Sequence, residues 1–575
     1  LMRKRIERRL LSVDPNRLPR QLHPVLRRVY AARDVAVADE LECSLTRLHS
    51  VEALGGIGAA LDLLVAALER RERILVIGDF DADGATSSAL AIRALRAMGH
   101  HDVDYLVPNR FQYGYGLTPE IVELAAERRP QLLITVDNGV SSLAGVEAAR
   151  ARGMRVLITD HHLPGAQLPA ADALVNPNLP GDAFPSKCLA GVGVIFYVML
   201  ALRARLRAEG WFERRGIAEP NMADLLDLVA LGTVADVVPL DHNNRILVDQ
   251  GIRRIRAGRC CAGILALLED AGRDPARLVA ADLGFAVGPR LNAAGRLEDM
   301  SLGIECLLAD DPAQARQLAR RLGELNRQRR DIEGQMREEA LQALEALDAD
   351  TLPAGICLMD ESWHQGVIGI LAGRIKERFH RPVIAFAPAG VDELKGSARS
   401  IPDLHIRDLL DKIATRQPEL IRKFGGHAMA AGLTLERARF ERFREAFAQA
   451  VAEEVPPEAL QGVLLSDGEL RPEELALEVA EALRDGGPWG QGFPEPLFDG
   501  VFEVVQSRIV GDKHLKMVLR HPQSSGWLDA IAFNAVEHGW REAPPAVRLA
   551  YRLDVNEFRG RRSVQLLVEY LEPAF

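Results

Sequence analysis

Ile74-Leu75-Val76-Ile77-Gly78-Asp79-Phe80-Asp81-Ala82-Asp83-Gly84 sets the fold class of this chain. A short apolar run ends on glycine and opens into three aspartates at alternate positions, after which residues 85–98 read as a helix. Strand, loop and helix form the unit of a parallel sheet wrapped by helices, and the unit repeats. Residues 105–107, 132–136, 156–159 and 173–175 read as further strands, with helical segments between most of them. The prediction is an α/β domain whose chemistry sits in the loops beyond the carboxyl ends of its strands, near the point where strand order reverses.

Those loops are acidic. The strand ending at Val136 delivers Asp137-Asn138-Gly139, the one ending at Thr159 delivers Asp160-His161-His162, and Gly232-Thr233-Val234-Ala235-Asp236 follows a helix-like segment at 223–231. An extended backbone through residues 79–83 turns Asp79, Asp81 and Asp83 to one side. One aspartate after a strand is ordinarily a turn former or a helix cap. Clusters converging on one crevice are different, because so many carboxylates cannot ionise side by side without cations, shared protons or wide spacing. Oxygen-rich ligands with a little imidazole favour Mn²⁺ or Mg²⁺ over thiolate-selected zinc. Two such ions about 4 Å apart activate a water and neutralise a phosphodiester transition state. Hydrolysis at phosphorus is the expected chemistry.

Bulk properties frame this reading. At 575 residues the chain exceeds one core and divides into several domains. Hydrophobic residues at 48 % and charged residues at 26 % are the balance of a soluble globular protein. The apolar run 188–202 stops at Arg203, short of the roughly 18 to 20 residues of a membrane span, and reads as a buried helix. The basic start around Arg3, Lys4 and Arg5 lacks the apolar segment and cleavage site of a signal peptide. No Cys-x-x-Cys spacing joins the six cysteines, which speaks against a zinc ribbon or disulfide framework and for the reducing cytoplasm. A formal charge of -10 repels polyanions overall, so any nucleic-acid contact depends on local basic surface. A long helix over 311–349 carries Arg316, Arg320, Arg321, Arg327, Arg329 and Arg330, either as a solvated face or as a DNA contact. Near-alternation of Val564, Leu566, Val568 and Tyr570 with Gln565, Leu567 and Glu569 suits a half-buried strand, and a small β-barrel is expected from about 462 to 575.

The four acidic segments, in this order, resemble the motifs of the DHH phosphoesterase superfamily, including the Asp160-His161-His162 triplet that names it. Pro108-Asn109-Arg110-Phe111, Gly288-Pro289-Arg290-Leu291-Asn292-Ala293-Ala294-Gly295-Arg296 and Phe424-Gly425-Gly426-His427 are similar to the superfamily's bacterial single-stranded-DNA exonucleases. The resemblance runs from about residue 50 to the end. It implies a DHH domain with a parallel sheet at 51–265 after an N-terminal segment at 1–50, a helical connector with the long helix at 266–352, a smaller α/β DHH-associated domain at 353–455 and an OB-like β-barrel at 462–575.

By position, Asp81, Asp83, Asp137, His161 and Asp236 match the superfamily's ligands for two divalent cations, with Asp137 between the two. Asp79 joins them as a ligand or, like Asp160, orients ligands from behind. His162 matches the histidine that touches the scissile phosphate and assists protonation of the leaving oxygen. The resemblance further assigns DNA contacts to Arg110, Ser397 and Arg399 at a 5'-terminal phosphate, and to Arg290, Asn292, Arg296, Gly425, Gly426 and His427 along the nucleotide path. In the loop 108–116, Phe111, Tyr113 and Tyr115 either stack on unpaired bases or pack as core. Lys513, His514, Lys516, Arg561 and Arg562 on the barrel face a strand or simply solvent.

The activity implied is 5'-to-3' exonuclease action on single-stranded DNA in repair and recombination, releasing 5'-mononucleotides in the cytoplasm, with single-strand binding protein and a RecQ-type helicase as partners and no membrane. Two rivals keep the fold. One is a small-molecule DHH hydrolase, which has little use for a terminal barrel. The other is a DNA-binding scaffold that has lost metal ligands, and no matching acid is missing here.

Overall fold

The computed structural model describes all residues except 1–3, 110–112, 114, 346–351, 559 and 575. They form two compact units, one made of Leu11–Asn326 with Glu478–Pro496, the other of Leu1–Leu10, Arg327–Leu477 and Leu497–Phe575.

The first unit is built on a parallel sheet of β1 (Ile74–Ile77), β2 (Val103–Leu106), β3 (Leu132–Val136), β4 (Arg155–Thr159) and β5 (Ala173–Val175). Their order is β2-β1-β3-β4-β5, all neighbours parallel. Helices cover the faces, so β1 and β3 are buried along their whole length and read as continuous apolar runs. Strand order reverses between β1 and β3, and the loops that carry Asp79, Asp81 and Asp137 leave the carboxyl ends of these two strands. The apolar run expected as a buried helix begins helix Gly191–Ala208, which is buried from Gly191 to Met199. No single helix among the described residues is long and apolar enough to cross a membrane.

In the second unit, β6 (Ile356–Met359), β7 (Val383–Pro388), β8 (Glu393–Arg399), β9 (Lys423–Gly426) and β10 (Ala430–Glu436) form a sheet of order β9-β10-β8-β7-β6. Only β6 and β7 run parallel in it. Phe386, Phe443 and Phe447 pack edge-on and stacked in its core. A closed barrel of β11 (Phe498–Val510), β12 (His514–Arg520), β13 (Trp527–Ala532), β14 (Ala546–Phe558) and β15 (Arg561–Pro573) follows, in the order β11-β12-β13-β15-β14. Closure removes the sheet edges that would otherwise invite aggregation.

Two expectations change. The alternation along β15 does not persist, because a register shift opposite Ala550 and Tyr551 makes Leu566 and Leu571 the buried residues. The extra residue in the ladder reverses parity. In helix Pro312–Glu345, Arg329 is not on an open face: it is buried in an ion pair with Glu333 at 2.7 Å, four residues on.

Candidate metal centre

The acidic loop after β1 is shorter than expected. Asp81 is the N-cap of helix Ala82–Ala97, its Oδ1 accepting the Gly84 N–H at 3.0 Å. Asp83 therefore lies in the first helical turn, and the one-sided extended array holds only as far as Asp81. Asp83 is turned inward instead: its Oδ2 accepts the Gly191 N–H at 2.6 Å and its Oδ1 the Val192 N–H at 2.9 Å. These amides open helix Gly191–Ala208, whose dipole stabilises an anion there. Asp137 leaves β3 with φ of 60°, in the left-handed region that Asp tolerates better than most residues. Helix and loop meet so closely that a Cβ on Gly191 would stand 2.6 Å from Asp137 Cβ. Gly191 and Val192 carry no polar mark in the sequence, and the one available signal was a glycine opening an apolar helix.

From β4, Asp160 is fully buried and used up within the protein. Its Oδ2 accepts the Val140 N–H at 2.9 Å, and its Oδ1 accepts the backbone N–H groups of His161 at 2.8 Å and His162 at 3.1 Å. His162 Nδ1 lies 2.8 Å from the same oxygen. Burial opposes ionisation of Asp160, but these bonds hold its carboxyl below the usual range. The His162 imidazole is in turn raised: burial lowers it, and the bond to Asp160 more than offsets this.

The remaining acids converge as expected. His161 Nε2 is 3.1 Å from Asp137 Oδ1, 3.5 Å from Asp236 Oδ2 and 4.0 Å from Asp83 Oδ2. Three groups of ligand atoms lie within 4.8 Å of one another: Asp79, Asp81 and Asp137; Asp137, His161 and His162; Asp83, His161 and Asp236. Asp137 and His161 each belong to two of them. Although His161 Nε2 stands 3.1 Å away, Asp137 Oδ1 is buried and accepts no hydrogen bond among the described residues. An acceptor so placed, among carboxylates and imidazole, fits a hard divalent cation. Without one the site is electrostatically costly. Burial, then the charge of Asp81, pushes Asp83 up to about 7. Burial, then neighbouring carboxylates, raises Asp137 and Asp236 well above their ordinary value.

The expected DNA contacts fall into groups. Arg110 and Phe111 lie outside the described residues. Tyr113 packs on the core cluster of Ile77, Leu117 and Ile121, whereas the Tyr115 hydroxyl reaches Asp137 O and His162 Nδ1, both at 3.1 Å. On helix Gly288–Leu297, Arg290 bonds to Asp270 Oδ2 at 2.8 Å and to Ala286 O. Asn292 Oδ1 accepts the Ala82 N–H at 2.8 Å, supporting the start of the acidic helix, and Arg296 is half-buried.

In the second unit Ser397 and Arg399 share one face of β8, Arg399 Nη1 donating to Ser397 Oγ at 3.1 Å. Helix Ile368–Phe379 begins against them: a Cβ on Gly369 would meet Arg399 Nη2 at 2.8 Å and Ser397 Oγ at 2.9 Å. Sequence reasoning missed Gly369. Gly425 of β9 stands in register with Gly432 of β10, itself in register with Ser397, so bare backbone floors the space beside that serine. Gly426 ends β9, and exposed His427 turns the chain toward β10. On the barrel His514 Nδ1 accepts the Asn534 N–H, Lys516 lies 3.8 Å from Asp529, and Arg561 and Arg562 are exposed. Trp527, not singled out in the sequence, is 73 % exposed opposite Arg520.

Comparison with known proteins places each part of the chain in a family. The DHH family, N-terminal domain, matches residues 73–233, the DHHA1 domain 352–453 and the RecJ OB domain 466–570. The single-stranded-DNA-specific exonuclease RecJ of Dickeya dadantii is 60 % identical over 559 residues, 97 % of each chain. The chain belongs to the RecJ family. The RecJ exonuclease of Escherichia coli is 56 % identical over the full length of both chains. Among solved structures, RecJ from Thermus thermophilus in complex with Mn²⁺ superposes with a TM-score of 0.82 at 30 % identity, covering 99 % of this chain and 80 % of that one. The Mg²⁺ complex of that RecJ gives 0.76 at 29 % identity, covering 99 % and 79 %.

Proposed function

We propose that this chain is a single-stranded-DNA-specific exonuclease that degrades in the 5'-to-3' direction, hydrolysing phosphodiester bonds with two divalent cations and releasing 5'-mononucleotides. The observation that carries this reading is Asp137, grouped with Asp79 and Asp81 on one side and 3.1 Å from His161 Nε2 on the other, while His161 reaches on to Asp83 and Asp236. Asp79, Asp81, Asp83, Asp137, His161 and Asp236 would hold the cations, Mn²⁺ or Mg²⁺. Bound there, the cations supply an activated water and neutralise charge on the phosphoryl oxygens.

The protein's own groups do the rest. The amides of Gly191 and Val192 fix both oxygens of Asp83. Asp160 orients the histidine pair through its bonds to both backbone N–H groups and to the His162 ring. His162 contacts the scissile phosphate and returns a proton to the leaving oxygen. Ser397 and Arg399, at the N-terminus of helix Ile368–Phe379, form an anion site suited to a 5'-terminal phosphate. Recognition of that end gives the direction of digestion. The barrel adds contact with the strand and so raises affinity. Family resemblance supports a role in DNA repair and recombination in the cytoplasm, with single-strand binding protein and a RecQ-type helicase.

Digestion of a long oligonucleotide labelled at either end, with Mn²⁺, with Mg²⁺ and with chelator, tests the reading. Loss of 5'-label first, mononucleotide products and silence under chelation are expected. Release from the 3' end, or preference for pyrophosphate or dinucleotides, would overturn it.

A further inference from the structure

Tyr115 enters the sequence as one of several aromatics in a loop, where stacking on a base and packing as core are the two obvious uses. Its surroundings suggest a third. Gly116 turns the chain with φ of 76°, and the Leu117 N–H bonds to Ser142 Oγ at 3.1 Å, which pins the loop's return. The Tyr115 ring stands edge-on to Phe80, with centroids 6.2 Å apart, and edge-on to His162 at 5.6 Å. Its hydroxyl is 3.1 Å from the Asp137 carbonyl and 3.1 Å from His162 Nδ1.

The hydrogen-bonding capacities of these atoms fix the pattern. A carbonyl only accepts, so the single phenolic proton goes to Asp137 O. Toward His162 the hydroxyl then offers a lone pair, as does Asp160 Oδ1 at 2.8 Å from the same ring nitrogen. Both partners accept, so Nδ1 carries hydrogen and Nε2 is left as the nitrogen that exchanges a proton with substrate. The bridge also ties the imidazole to the backbone of Asp137, a residue in the left-handed region with φ of 60°.

We propose that Tyr115 is a positioning residue: its hydroxyl joins the Asp137 carbonyl to His162 Nδ1, aiming His162 Nε2 at the scissile phosphate and keeping it in register with the metal-binding loop. This rests on the activity proposed above, and the experiment separates the two. Tyr115→Phe keeps the ring and its packing while deleting the bridge. The expected result is a kcat lower by roughly tenfold, the order expected when one reacting group loses its aim, with KM and single-strand affinity within about twofold of wild type. Tyr115→Leu should add little to that loss of kcat.

A second readout needs no metal and no turnover. In chelated, ¹⁵N-histidine-labelled protein the Nδ1–H proton of His162, assigned by its absence from His162→Gln, should be a sharp low-field signal. In Tyr115→Phe it should shift or broaden through faster exchange. Wild-type kcat together with an unmoved signal would overturn the proposal. So would an unchanged kcat in Tyr115→Phe combined with a raised KM in Tyr115→Leu, which is the signature of base stacking. A wild-type protein without exonuclease activity that still shows the signal moving in Tyr115→Phe would refute the activity and leave the bridge standing.

Discussion

Asp137 combines a left-handed backbone, a fully buried carboxylate and membership of two ligand groups. Residues in sparsely populated conformations cost on the order of 1–3 kcal/mol and persist where the surroundings over-determine them. Asp137→Asn keeps the shape and the tolerance of positive φ but removes the charge. Hydrolysis should fall by more than about 10²-fold, as when one preorganised electrostatic group is lost, with single-strand affinity in filter binding nearly unchanged; activity within tenfold of wild type would contradict the role given to this carboxylate. Arg399 belongs to the other unit, beside Ser397 and Gly369. Arg399→Met should reduce cleavage of a 5'-phosphorylated strand far more than of a 5'-blocked one, and equal loss on both would rule out end recognition. That these carboxylates and imidazoles gather in one place was legible because three of the four acidic segments follow strands of one parallel sheet. Asp83 was misjudged in its setting: alternation presupposes an extended chain, whereas the cap at Asp81 starts the helix before Asp83. The support given by Asn292 to Ala82 was not legible, since nothing in a sequence tells which of two distant polar groups an amide will satisfy.

At the scale of elements, two helix starts build the centre. One is capped by Asp81, and the other offers its first amides to Asp83. The second can approach only because Gly191 has no side chain, its missing Cβ falling 2.9 Å from Asp137 Cα. Gly191→Ala should therefore cost about 1–3 kcal/mol by overpacking and weaken Mn²⁺ binding, measured by denaturant unfolding and by manganese titration of the same preparation. Unchanged affinity would mean that this helix does not set the ligand geometry. Strand positions were legible because buried parallel strands are short apolar runs, and β3 and β5 have the expected limits. The barrel strand β15 was less legible, because a bulge shifts side-chain parity without any mark in composition.

For the molecule as a whole, the same concentration of charge makes stability depend on metal and pH together. Asp83, pushed up to about 7, and Asp137 and Asp236, raised well above their ordinary value, bind more protons folded than unfolded. An unfolded aspartate titrates near pH 4, at about 3.9. Stability of the metal-free protein should then fall as pH rises from about 4 through 7. A bound divalent cation replaces those protons, so the Tm gained on adding Mn²⁺ should grow over that range. Parallel Tm profiles with and without metal would contradict this. The proposed chemistry requires two cations on either side of Asp137. Anomalous diffraction at the manganese edge, from crystals grown with Mn²⁺, tests that most directly. Two peaks about 4 Å apart, one beside Asp79 and Asp81 and the other beside His161 and Asp236, are predicted; a single peak, or manganese bound away from these residues, would contradict the account.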